Sequence, residues 1–330
     1  MKILVDFAFA NQLSEPGAAF FEHLFMLYAR HFAADELIII SCAKQTHPLP
    51  DNSRVVYTKP TGFSWLKTSR LNNLVQQENP TAIIRFEKET IQLYQRKKNK
   101  PVANIAFTAH HQALVVNKAI SSKKMIPPVV STSTDTLSWS EKESLKISYT
   151  GGREYFLAAG TVQNADYYIA LLKAYSQFKK RQLSDMKLLL VTEPGPASEE
   201  LEEKLKTYKY RHDVEMTEQP ELQEFEKLMS CAYAYIDLNA ANELSYPLLM
   251  AAQTETAIIA ADTEVSRQLA PVATYFTTSN LQQDVYDAIS QLYKDENLKF
   301  TMAGSNKEAA QKNDVTQMLK TLRDFIVSQV

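Results

Sequence analysis

Apolar residues fall into short unbroken runs along this chain, separated by stretches in which the apolar positions recur every three or four residues. In the first third, KILVDFA, ELIIIS, TAIIRF and VANIAFTA read as buried strands. AAFFEHLFMLYARHFA (18–33) and SWLKTSRLNNLVQQ (64–77) carry a helical stripe. After residue 150 the alternation resumes. EYFLAAG, MKLLLVT, HDVEMT, AYAYIDL and TAIIAA read as strands. ADYYIALLKAYSQFKKR, SEELEEKLKTY, PELQEFEKLMS and YPLLMAAQ read as helices between them. The chain closes on three helical segments, LQQDVYDAISQLY, ENLKFTMAGSNKEAAQK and VTQMLKTLRDFIVSQ. Strands that alternate with helices predict parallel sheets covered on both faces. Met125 to Ser140, MIPPVVSTSTDTLSWS, is rich in Pro, Ser and Thr and is the expected linker. The pattern therefore predicts an α/β protein of two domains, 1–135 and 136–330, with the last helix able to pack back on the first domain.

One stretch is chemically the richest. Cys231 to Asp262, CAYAYIDLNAANELSYPLLMAAQTETAIIAAD, reads as strand, loop, helix, strand. Ser245, Tyr246 and Pro247 open the helix, with proline in its first turn, where a missing N–H costs nothing. A strand that feeds a helix N-terminus is where α/β proteins commonly hold a phosphate.

That stretch resembles the donor-sugar site of family 4 retaining glycosyltransferases, which have the GT-B fold. Their strand is followed by Glu-Gly-Phe-Gly-x-Pro-x-x-Glu-Ala. Aligned on Pro247, Asn242 and Met250 take the places of the two glutamates, Glu243 and Ser245 those of the glycines, and Ala251 that of the alanine. A register shifted by one puts Glu243 on the first glutamate and needs a deletion before Pro247. The resemblance continues upstream, in WSEKESLKISYTGGREYFLAAGTVQNADYYIALLKAY (139–175). Gly160 matches the glycine that ends the family's Tyr-Phe-Leu-x-x-Gly strand, and Leu171, Leu172, Ala174 and Tyr175 match the helix that follows. Ala165 and Asp166 stand where the family has an arginine and a lysine that contact the diphosphate. The likeness is good over 139–330 and loose over 1–111. It implies two Rossmann-like parallel-sheet domains facing across a cleft, a shortened acceptor-side domain first and a donor-side domain second. The implied activity is retaining glycosyl transfer from a nucleotide-sugar to a saccharide or glycolipid acceptor. The replaced donor-site residues leave an alternative, a catalytically inactive GT-B protein that binds or scaffolds an active glycosyltransferase.

Composition narrows the picture. A net charge of −2 gives no electrostatic case for nucleic acid. Cys42 and Cys231 lie in or beside apolar strands with no CxxC, which argues for a reducing, cytoplasmic setting and against a disulfide framework or zinc site. The first apolar run is too short for a signal peptide, and no apolar stretch approaches the ~20 residues of a membrane span. Glycine is scarce, 7 in 330 residues against a usual ~7%. Phosphate-cradling loops need glycine so that backbone N–H groups can close on the ligand. No GxGxxG or Walker motif is present, and no cofactor or metal is implied.

The candidate residues have plain readings beside the chemical ones. Asp166, after the N-cap candidate Asn164, complements a helix dipole; at a diphosphate site it repels. Met250 on a helix reads as core, and in the resemblance it removes the acid that holds the ribose. Glu243 is a loop acid or a sugar-facing one. His110, in FTAHHQAL, matches the family's Thr-x-His-Asp loop, in which a histidine orients substrate or transfers protons. Gly17, in the Glu15-Pro16-Gly17 turn, matches a glycine-rich loop near the donor phosphate. Arg96 to Lys100 is a basic surface loop or a contact for an anionic lipid surface. The expected catalytic pair is His110 and Glu243. The expected donor-binding positions are Gly17, Gly160, Ala165, Asp166, Asn242, Ser245 and Met250.

Overall fold

The computed structural model describes all residues except 7–23, 42–48, 58–71, 88–89, 95–100, 108–111, 118–119, 126–136, 163, 194, 219, 239, 241–244, 312–314 and 330. The chain forms two compact units, Met1–Val130 with Asn313–Val330, and Ser131–Lys312.

The first unit contains β1 (Lys2–Asp6), helix α1 (24–31), β2 (Glu36–Ser41), β3 (Ser53–Tyr57), helix α2 (72–78) and β4 (Ala82–Glu87). Four further strands follow: β5 (Thr90–Tyr94), β6 (Pro101–Phe107), β7 (Gln112–Asn117) and β8 (Ile120–Met125). They make one eight-stranded sheet in the order β3-β2-β1-β4-β5-β6-β7-β8. β1, β2, β3 and β4 pair in parallel. From β4 onward every pairing is antiparallel. The cause is connection length. Only residues 88–89 separate β4 from β5, whereas a parallel return needs a dozen residues or more. Alternation of strand and helix therefore describes the parallel half of this sheet and stops at β4. Leu4, Ile40 and Ile83 pack as a buried cluster across the parallel strands.

Asp35, just before β2, is the polar centre of this unit and is 1% exposed. Its carboxylate accepts from Tyr28 Oη at 2.9 Å, from Arg323 Nε at 2.8 Å and from the α-amino group of Met1 at 2.8 Å. Burial works against the charge, but the Arg323, Met1 and Tyr28 hydrogen bonds outweigh it and hold the carboxyl down at about 2. Arg323 lies on α11 (Val315–Gln329), whose Leu319, Leu322, Phe325 and Ile326 are buried. Its guanidinium also stacks on the Phe32 ring, 5.1 Å from the centroid. These contacts explain why residues 313–330 join the first unit, although a division at 135/136 assigns them to the second.

The second unit opens with α3 (Trp139–Thr150), which carries a capping box between Ser138 and Glu141 and ends at Gly151, in the left-handed conformation. Then come β9 (Tyr155–Thr161), α4 (Ala165–Gln182), β10 (Lys187–Glu193), α5 (Ser198–Thr207), β11 (Val214–Glu218) and α6 (Leu222–Cys231). They are followed by β12 (Ala234–Asp237), α7 (Tyr246–Gln253), β13 (Ile258–Ala261), α8 (Glu264–Leu269), β14 (Thr274–Phe276), α9 (Leu281–Lys294) and α10 (Glu296–Gln311). Every strand pair is parallel, in the order β11-β10-β9-β12-β13-β14. Numbered from β9, this is the doubly wound order 3-2-1-4-5-6. α4, α5 and α9 cover one face; α6, α7, α8 and α10 pack together on the other. Phe156, Leu171, Tyr175, Phe178, Ile236 and Ile289 sit in the first layer's core, each contributing about 1.5–3 kcal/mol by burial. No helix among the described residues is long and apolar enough to cross a membrane.

Candidate functional site

The doubly wound order fixes where a ligand can sit. β9 leads to β10 on one side and neighbours β12 on the other, so the chain leaves these two strands in opposite directions. In open α/β sheets the usual ligand position is outside the carboxyl ends of two strands related in this way. Of the expected site residues, Gly160, Ala165, Asp166 and Ser245 lie at this switch point, on the end of β9 and the starts of α4 and α7.

Gly160 has φ 137°, a conformation that favours glycine, and among the described residues a Cβ added there would meet nothing within 4 Å. The backbone is therefore open on that side. Its carbonyl accepts from Tyr168 Oη at 3.2 Å, which fixes the strand end against α4. α4 starts after Asn164, whose side-chain oxygen accepts from Asp166 N at 2.9 Å. The Asp166 side chain is exposed in the first turn, where it complements the dipole of an 18-residue helix. Ala165 is 2% exposed, so its methyl group belongs to the core and offers nothing to a ligand.

α7 starts as its sequence requires. Ser245 Oγ accepts from Leu248 N at 3.3 Å, and Pro247 occupies the first turn. Met250 is fully buried in this helix, which places it in the core and leaves no position there for a ribose anchor. His110, Gly17, Asn242 and Glu243 lie outside the described residues.

Three residues that sequence patterning passed over complete the switch point. Asp237, the last residue of β12, is 2% exposed, and its Oδ1 accepts from Tyr235 Oη at 3.4 Å. Burial pushes the Tyr235 hydroxyl well above the tyrosine range, the Asp237 charge adds to this, and a hydrogen bond from Ser245 opposes it. Tyr168 is the third. The available signal was the lone acid that ends the apolar run CAYAYIDL.

Charge around this end of the sheet is nearly all of one sign. Each strand end or following helix start brings an acid: Asp166, Glu193, Glu218, Asp237, Asp262 and Asp284. By sequence, Arg267 is the sole cation between the strand ends and the first turns of the helices that follow. It is already engaged, donating to Asp262 at 2.7 and 3.0 Å and stacking 4.5 Å from the Tyr275 ring centroid. Among the described residues, no group of His, Cys, Asp and Glu could hold a metal ion.

No protein-family model and no curated protein matches the chain. Solved structures do. A glycosyltransferase from Rickettsia africae shares 11% identity, with 99% of this chain and 98% of that one covered, at a TM-score of 0.71. Anabaena HepE in complex with UDP-glucose shares 13%, with 99% and 100% covered, at 0.70. The pneumococcal O-GlcNAc transferase GtfA, in complex with UDP and GlcNAc, shares 12% at 0.50; 94% of this chain is covered, and it spans 54% of GtfA. At such identities the likeness is one of fold: this chain has the GT-B fold of the glycosyltransferases.

Proposed function

We propose that the chain is a glycosyltransferase-like protein that takes a nucleotide-sugar at the β9–β12 switch point and transfers the sugar, with retention, to a saccharide or glycolipid acceptor. The observation that carries this reading is the open backbone at Gly160 beside the N-terminus of α4. A diphosphate lying there meets backbone N–H groups and the positive end of the helix dipole. It is held by the backbone, because Ala165 is buried and Asp166 is an acid. Affinity for common nucleotide-sugars is accordingly millimolar. His110 and Glu243 are the groups proposed to orient the sugar and move protons. The setting is cytoplasmic polysaccharide biosynthesis.

The acids at each strand end or following helix start favour a second reading, a GT-B protein that has lost donor chemistry and serves as binding partner or scaffold of an active glycosyltransferase. One experiment separates the two. The melting temperature is measured with UDP-, GDP- and ADP-sugars at 10 mM. A ligand at ten times its Kd stabilises by about 1.4 kcal/mol, a rise of a few degrees. A rise with one nucleotide class, followed by sugar transfer that His110→Ala abolishes, supports the first reading. No rise with any of them leaves the second.

A further inference from the structure

We infer that Asp237 reads sugar hydroxyls of the ligand at the switch point; this rests on the nucleotide-sugar reading above and deepens it. Register carries the placement. Ile236 lies opposite Ala158, so Asp237 stands beside Ala159 and the open backbone of Gly160. Neither neighbour has a side chain longer than a methyl group, so a ligand over the end of β9 meets the carboxylate end of β12 next. Tyr235 and Asp237, two apart on one strand, share a face, with Ser245 against the Tyr235 hydroxyl. Ile236 and Leu238, on the opposite face, belong to the apolar core. The polar cluster thus lies on the α7 side of the sheet, apart from the packing that β12 supplies.

Chemistry decides what such a group recognises. A carboxylate accepts hydrogen bonds and repels phosphate. The part of the ligand over β12 must therefore donate, and vicinal hydroxyls do so in pairs. The diphosphate lies on the other side, over α4. Burial strengthens each bond the carboxylate accepts and makes the loss of a hydroxyl costly, which is how a site selects one sugar over another.

The test compares UDP-glucose with UDP on the full chain and on Asp237→Asn, by ligand-observed NMR titration, with melting temperatures recorded for both proteins. The native chain should bind UDP-glucose at least tenfold tighter than UDP, and Asp237→Asn should remove that preference. A merely structural Asp237 would shift melting temperature and leave both affinities unchanged. A loss confined to UDP-glucose puts the hydroxyls on the transferred hexose. An equal loss for UDP, absent with 2′,3′-dideoxy-UDP, puts them on the ribose. Unchanged affinity for both ligands in a folded variant overturns the inference and leaves the nucleotide-sugar reading standing. A native chain that binds neither ligand sinks that reading and this inference together. Should Asp237→Asn not fold, UDP-sugars lacking one hydroxyl at a time are titrated into the native chain. At least one should lose tenfold, and a series flat within twofold refutes the role.

Discussion

Gly160 and Met250 show how one residue can open or close a site. At φ 137° with no described residue in the way, Gly160→Ala pays only for backbone strain, about 1–3 kcal/mol. A methyl group there also projects into the space proposed for the diphosphate. The expected outcome is a modest fall in midpoint on chemical denaturation, with loss of any nucleotide-induced stabilisation. Met250 is the reverse case. An acid at this position would be buried without water, and desolvating a charge costs several kcal/mol. Met250→Glu should therefore destabilise by at least about 3 kcal/mol, or raise the carboxyl pKa until it binds a proton, without creating a ribose anchor. A folded Met250→Glu chain with improved nucleotide affinity would contradict the placement. Residue-level reading of the sequence identified Gly160 and the core role of Met250. It passed over Asp237, because one acid at the end of an apolar run looks the same whether it turns to solvent or under a helix.

At the scale of elements, legibility follows length and periodicity. The long amphipathic α4, α9 and α11 and the apolar β1, β2, β9 and β10 announce themselves, because burial of one stripe or one run leaves a periodic trace. Of the antiparallel strands only β6 does. TIQLY and ISSKKM mix polar and apolar positions too evenly to stand out, and their pairing is set by two-residue connections that no periodicity records. The caps were legible: Asn164 and Ser245 start their helices as their side chains dictate. The switch point was legible only in part, since strand order depends on which strands become neighbours in space. α11 offers a test at this scale. Arg323→Met removes two hydrogen bonds to a buried carboxylate and should cost about 1–3 kcal/mol. Hydrogen exchange should rise along α11 and stay unchanged in α4. Asp35 has a depressed pKa, so its stabilisation is complete above the unfolded value of 3.8 and is lost as pH falls through about 2. That loss, about 2 kcal/mol, should be seen in the native chain between pH 4 and 2 and be smaller in Arg323→Met.

At the scale of the molecule, charge is unevenly placed along the sheet of the second unit. The carboxyl edge of the second sheet gathers acids, and basic residues such as Arg153, Lys179 and Lys187 lie at the opposite edge, around the strand starts. Lys179 is buried there, donating to Ser184 O at 2.5 Å with Asp213 3.2 Å away. Such a distribution suits the helix dipoles, which favour acids at N-termini and bases at C-termini. It also sets a long-range field against any anion that approaches the switch point. Nucleotide binding to the native chain should therefore strengthen severalfold between about 50 and 500 mM salt, as screening shortens the reach of the acids. Binding that weakens with salt would point to a cationic contact elsewhere.

The proposed diphosphate position is the start of α4, and Asp166→Lys probes it with a single exposed charge. The side chain is exposed, so the change leaves the core intact and costs folding about 0.3–1 kcal/mol per lost dipole interaction. Calorimetric titration with UDP-glucose should show affinity stronger by roughly 2 kcal/mol, about thirtyfold, because repulsion is replaced by a charge-assisted hydrogen bond. Unchanged affinity in the folded Asp166→Lys chain would contradict that placement.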